Sequence, residues 1–189
     1  MNMQSTKDLI LDSAQEFAQT RGFNGFSYAD IATDVGIRKA SIHHHFSTKE
    51  DLEAALMDRY HEGFMVALKS ISAASTSPTS CLKKYGDLYA DSLRRRVVCL
   101  GGMMASDLGA LPERLAPMLR NFFKEQTEWL TQVMEQGKAS GEFAYIESPG
   151  NRASMFLAAM QGGLLIGNAM DDEDAFERIC EELITELRK

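Results

Sequence analysis

With 189 residues and 44% hydrophobic side chains, the chain is long enough to bury a core, as one domain or as two small ones. Its formal net charge of −7 excludes a protein that coats nucleic acid indiscriminately, because phosphate-dominated binding needs a broad excess of Lys and Arg. Three cysteines, Cys81, Cys99 and Cys180, are too few and too far apart for a disulfide framework or a CxxC zinc cluster. Neither an export leader at Met1–Lys7 nor a run approaching the roughly 20 apolar residues of a bilayer span is expected. These features predict a cytoplasmic chain with no membrane partner, no cofactor and no metal.

Glycine, proline and serine clusters separate segments whose apolar residues recur at helical spacing, which predicts an all-α chain. Ser5 to Thr20 comes first: Ser5 and Asp8 stand in capping-box spacing, Ile10, Ala14, Phe17 and Ala18 share a face, and Gly22 lies beyond the end. The next start is fixed from both sides. Ser27 caps, Asp30 completes the box, and Phe26 and Ile31 hold the hydrophobic-staple positions, so a second helix begins at Tyr28. Gly36 supplies the left-handed residue that stops it, and a short third helix fits Lys39 to His45. Ser47 and Glu50 predict another capping box, opening a long helix 4 over 48–72 with Leu52, Leu56, Tyr60, Phe64 and Leu68 on its stripe. The small, polar run Ala73–Ser80 is a loop. Beyond it the pattern predicts helix 5 over Cys81–Val98, a short helix after Gly101-Gly102, and a long one from Pro112 or Pro117 to Lys138. Another opens at Ser148-Pro149 and runs through Ala169, and a last one runs toward Arg188 behind Asp171, Asp172, Glu173 and Asp174.

Helix, a short turn containing glycine, and a second helix is the helix-turn-helix arrangement, and Tyr28–Phe46 has it. The second helix of that motif lies in the major groove with its N-terminal residues at the base edges. Here those are Arg38, Lys39, Ala40 and Ser41. Arg and Lys donate to guanine O6 and N7, Ser reaches bases or phosphate, and a small Ala lets the helix approach closely. Ile42 and Phe46 anchor the helix from behind. Composition gives no such hint, since residues 1–50 hold five basic and six acidic side chains.

Ile31-Ala32, then Gly36-Ile37-Arg38-Lys39-Ala40-Ser41-Ile42-His43-His44-His45-Phe46, then Lys49-Glu50-Asp51-Leu52 resemble the signature of the TetR/AcrR family. The resemblance implies an all-α protein of about nine helices, with an N-terminal three-helix DNA-binding domain (1–47) and a C-terminal effector-binding and dimerisation domain (48–189), connected by helix 4. It also implies a double-stranded DNA operator, a regulator that represses or, less often, activates, a homodimer formed through the last two helices, and a small-molecule effector held among helices 5 to 8. The DNA-binding set expected is Ser27, Tyr28, Arg38, Lys39, Ala40, Ser41, His43, His44 and Lys49. Two positions depart from the family pattern: His43 stands where Tyr is usual, and Ala40 where Gly is common. Successive helical residues point about 100° apart, so His43, His44 and His45 do not converge on a metal. His45 reads as a structural histidine.

The sensing half offers soft, large side chains for an apolar effector pocket: Cys99, Met103, Met104, Phe122, Phe123, Trp129, Met155, Phe156 and Met160, with Asp107 as a polar anchor. The same stripes also satisfy a core. Cys99 follows Arg94-Arg95-Arg96, and nearby cations favour the thiolate, which opens an alternative, a thiol-based electrophile- or oxidant-sensing repressor. For assembly, Phe156, Met160, Leu164 and Gly167 on one helix, and Phe176, Ile179, Cys180, Leu183 and Leu187 on the last, are predicted to meet their symmetry mates in a four-helix interface. HExxH, GxSxG, Walker A and GxGxxG motifs are absent from the sequence, so an enzyme is not expected. The alternative of another class is a helical protein-interaction module.

Overall fold

A computed structural model describes residues 4–107, 109 and 111–188, with the backbone alone at 173 and 175. Among the described residues are nine α-helices and no strand: α1 Thr6–Arg21, α2 Tyr28–Val35, α3 Lys39–His45, α4 Lys49–Ala74, α5 Pro78–Arg94, α6 Leu100–Ser106, α7 Leu115–Ala139, α8 Pro149–Met170 and α9 Glu173–Glu186. Three features of the sequence reading lie outside what is described: the start of the N-terminal arm, Leu108 with Ala110, and the Glu173 side chain in the acidic run. The chain forms two compact units, Met1–Glu62 with Leu100–Arg120, and Gly63–Cys99 with Asn121–Lys189. Helices α4 and α7 each contribute residues to both.

In the first unit, α1 is capped by Ser5, whose Oγ accepts from the Asp8 amide at 3.2 Å. It ends at Gly22, whose N–H donates to the Ala18 carbonyl at 3.1 Å. The α2 box forms as expected, with Ser27 N–H donating to Asp30 Oδ2 at 2.7 Å and the Ala29 amide to Ser27 Oγ at 3.2 Å. Gly36 at φ 74°, ψ 33° is left-handed, and Ile37 N–H donates to Ala32 O at 3.0 Å. This is the Schellman closure that a β-carbon at residue 36 would strain. Ile10, Ala14 and Ala18 of α1, Ile31 of α2, Ile42 of α3 and Leu52 and Leu56 of α4 are fully buried together. Each buried Leu or Ile contributes about 1.5–3 kcal/mol, so a pair of short helices that could not persist alone is held by its apolar face.

The α4 start differs from the expected Ser47–Glu50 box by one position. Thr48 is the cap: the Asp51 amide donates to Thr48 Oγ1 at 3.1 Å, and Thr48 N–H donates back to Asp51 Oδ2 at 3.0 Å. Ser47 serves the same carboxylate through its hydroxyl, at 2.6 Å. Helix α5 begins at Pro78 rather than Cys81, because Ser77 caps it and proline occupies the first turn. It ends at Arg94, four residues earlier than expected, where Arg96 turns left-handed (φ 54°). Helix α7 starts at Leu115, between the two prolines that bracketed it, with Pro117 inside its first turn.

In the second unit, α5, α8 and α9 pack on one another around Tyr85, Leu93, Phe156, Met160, Leu164 and Phe176, all buried. The stripes assigned to a dimer interface are therefore corrected. Phe156, Met160, Leu164 and Gly167, with Phe176, Cys180 and Leu187, face the interior of their own unit; Ile179 and Leu183 are half-buried. The side of α8 that faces solvent carries Met155, Ala158, Leu165, Ile166, Ala169 and Met170 instead. Because both of its sides are apolar, α8 is also long and apolar enough, by length and composition, to cross a membrane, which the sequence reading did not anticipate.

Candidate functional site

Helix α3 is short, lacks any acidic residue, and is held from behind by Ile42 at 0% and Phe46 at 3% exposure. Its front presents Arg38, Lys39, Ala40, His43 and His44 to solvent, with Ser41 half-buried. Arg38, Ala40, Ser41, His44 and His45 join Thr6 of α1 and Ile37 in lining a concave surface of about 500 Å³. Arg38 and Lys39 form no ion pair among the described residues, so both guanidinium and ammonium are available to acceptors. His43 packs edge-on against Tyr28, ring centroids 4.9 Å apart, and its Nδ1 lies 3.3 Å from the Ser47 carbonyl.

Three expected roles need correction. Tyr28 is buried, and its hydroxyl lies within donating distance of the Phe46 carbonyl, at 3.1 Å, and of the Thr48 carbonyl. Burial, then the charges of Asp51 and Glu53, push its pKa up to about 12. It is thus a neutral strut behind the reading helix and not a contact residue. Lys49 also turns inward: its ammonium donates to the carbonyls of Phe23 and, at 2.9 Å, Phe26, and lies 4.6 Å from the Phe26 ring centroid. His45, expected to be structural, is exposed. Ser27 is exposed, but its hydroxyl caps α2 and donates to Asp30 at 2.7 Å, and that bond and the Ser27 N–H hold the Asp30 carboxyl below the usual range.

The residues of the expected effector pocket are shared between the two units. Met103, Met104 and Asp107 belong to the first unit, and Met155 is exposed on α8. Cys99, Phe122, Trp129, Phe156 and Met160 belong to the second unit, with Phe123 half-buried beside Phe122. There Phe64, Trp129 and Phe156 surround Tyr85 at ring-centroid distances of 5.6 to 6.3 Å, and Phe122 packs edge-on against Phe64 at 5.4 Å. Among these rings sits a polar cluster that apolar periodicity did not single out. Gln126, fully buried, accepts from the hydroxyls of Tyr85 at 3.0 Å and Tyr89 at 3.3 Å, and those hydroxyls lie 3.0 Å apart. Gln161 donates to Tyr89 at 3.1 Å and to Cys99 Sγ at 3.4 Å. Burial pushes the Tyr85 phenol far up, so it stays a neutral donor. The signal in the sequence was the Tyr85–Tyr89 spacing of four on α5, matched by a lone Gln on an otherwise apolar side of α7.

Cys99 is buried at 3% exposure, and two of the three arginines that precede it are engaged in ion pairs. Arg94 pairs with Asp91 and, at 3.6 Å, Glu177, and Arg96 pairs with Asp171 at 2.7 Å. All three cysteines are buried, and none forms a disulfide.

Residues 10–56 match the family described as bacterial regulatory proteins, tetR family. The fold superposes on a transcriptional regulator of the TetR family from Agrobacterium tumefaciens, with a TM-score of 0.93, 31% identity and 96% of each chain covered. It also superposes on a TetR transcriptional regulator from Legionella pneumophila, with a TM-score of 0.90, 33% identity, and 99% of this chain and 100% of that one covered. The HTH-type transcriptional repressor KstR2 of Mycolicibacterium smegmatis is 28% identical over 144 residues, 74% of this chain and 68% of that protein. The helix-turn-helix, the nine α-helices among the described residues and these likenesses agree: the chain belongs to the TetR family of bacterial transcriptional regulators.

Proposed function

We propose that the protein is a homodimeric repressor that leaves a near-palindromic operator when a small, uncharged, largely apolar effector enters the C-terminal chamber. The observation that carries the DNA half is the front of α3: two exposed cations, a small residue and two exposed histidines on a helix locked from behind by Ile42, Phe46 and Tyr28. Arg38 and Lys39 read base edges, Ser41 and His43 approach phosphate, and residues 1–47 act as the reading domain. Residues 48–189 sense and dimerise. The uncharged effector is argued from the chamber: its polar groups are two phenols, two amides and a thiol, none of which neutralises a buried charge. The sign of regulation is carried over from the repressor named among the relatives. Helix α4, which runs unbroken from the end of the reading motif to Ala74, transmits the change. A 100-fold loss of operator affinity requires about 2.7 kcal/mol of differential effector binding between the two states.

The test is a gel shift on the DNA flanking the protein's own gene, at stated salt. Arg38→Ala with Lys39→Ala is expected to weaken specific binding at least tenfold, each bidentate base contact being worth about 1–3 kcal/mol. Absence of retardation by micromolar wild-type dimer, or full retention of affinity by the double variant, rules the reading out.

A further inference from the structure

Arg114 sits in the segment just before α7, and its guanidinium closes on the first turn of α4: Nε lies 3.1 Å from Glu50 Oε1, and an Nη lies 3.1 Å from Asp51 Oδ1 while donating to the Glu50 carbonyl at 2.7 Å. Asp51 is a node. Its other oxygen accepts from Ser47 Oγ at 2.6 Å, Thr48 Oγ1 at 2.8 Å and Thr48 N–H at 3.0 Å. Ser47 and Thr48 are the residues between the end of the reading motif and α4, and the Ser47 carbonyl faces His43 of α3. Arg114 is in turn fixed by its neighbour Leu115, fully buried at the head of α7.

We propose that Arg114 is a positioning residue for operator recognition: acting through the Asp51 cap, it sets the direction in which α3 leaves the α4 junction. The inference rests on the DNA-binding reading above. Arginine suits the task because its planar fork can hold two carboxylates and a carbonyl at fixed angles, which a lysine point charge cannot. The Arg114 side chain is 44% exposed, and a pair so open to water adds little to stability. Its contribution is therefore directional, and affinity and stability should separate when it is removed.

The experiment uses the full-length wild-type chain to enrich a duplex from a random library, then measures that duplex and a scrambled one against Arg114→Ala, Arg114→Lys and the Arg114→Ala/Asp51→Asn pair. Arg114→Ala is expected to bind the enriched duplex at least tenfold more weakly, the scrambled duplex within twofold of wild type, and to melt within about 2 °C of it. Arg114→Lys should recover part of the loss, and Asp51→Asn should add little to Arg114→Ala, since both break one path. Unchanged discrimination in Arg114→Ala, or equal losses on both duplexes with a large fall in melting temperature, overturns the proposal. Should Arg114→Ala fail to fold, Arg114→Lys with Glu50→Gln carries the same comparison. Failure of the wild type to enrich any duplex instead brings down the DNA-binding reading itself.

Discussion

At Asp51, the hydroxyls of Ser47 and Thr48 and the Thr48 amide hold the carboxyl down to about 2. A carboxylate depressed in the folded state favours folding at every pH above its unfolded value, near 4, and that contribution fades as pH falls toward 2. Asp51→Asn is therefore expected to destabilise the protein at pH 7 and to approach the wild type as pH drops from about 4 to 2; urea unfolding midpoints along that range measure it. A constant difference across the range would mean that capping geometry, not charge, is what Asp51 supplies. Tyr28 and Lys49 show where reading single residues fell short. Both stand in motif positions next to the DNA-reading face, and only the three-dimensional arrangement reveals that the Phe23, Phe26, Phe46 and Thr48 carbonyls claim their polar ends.

Among the elements, most helix starts were legible, because a cap is a local event: Ser5, Ser27 and Ser148 accept from an amide two or three residues on, whereas Ser77, which caps α5 in the same way, lay inside a small polar run that reads as a loop. Where two hydroxyls adjoin, as at Ser47-Thr48, local chemistry alone does not choose between them, and the cap fell one residue later. Helix interiors hide more. A β-carbon on Gly137 of α7 would lie 2.0 Å from the Phe143 ring, whereas one on Gly162 of α8 meets nothing within 4 Å. Gly137→Ala should therefore cost about 1–3 kcal/mol by overpacking. Gly162→Ala should leave the monomer unchanged or stabilise it by about 0.5–1 kcal/mol through helix propensity. Chemical denaturation of the two variants tests the pair, and the reverse order would mean that α7 and Phe143 are not in contact.

On the scale of the whole molecule, the fold class and the reading motif could be taken from the sequence, while the orientation of the C-terminal stripes could not. A helix with one apolar side declares which way it faces; α8 is apolar on both, so periodicity picked the side that packs inward against α5 and α9. The outward side, with Leu165 at 51% and Ile166 at 55% exposure, is the surface on which a two-fold partner is expected to sit. Leu165→Glu with Ile166→Glu should convert the proposed dimer to a monomer in sedimentation velocity at micromolar concentration. Its helical circular dichroism should be retained, since neither side chain serves the interior. A dimer that persists would move the interface to another face.

Trp129 is the single tryptophan in the chain. It lies stacked on Tyr85 with ring centroids 5.6 Å apart, and its indole N–H is held by Ser72 Oγ at 2.8 Å. The consequence is optical. All indole emission from a protomer arises at the wall of the proposed effector chamber, beside a phenol close enough to pass its excitation across. Whatever enters that chamber changes the colour and yield of one identifiable ring, so the molecule carries its own label for finding an effector without modification of any kind.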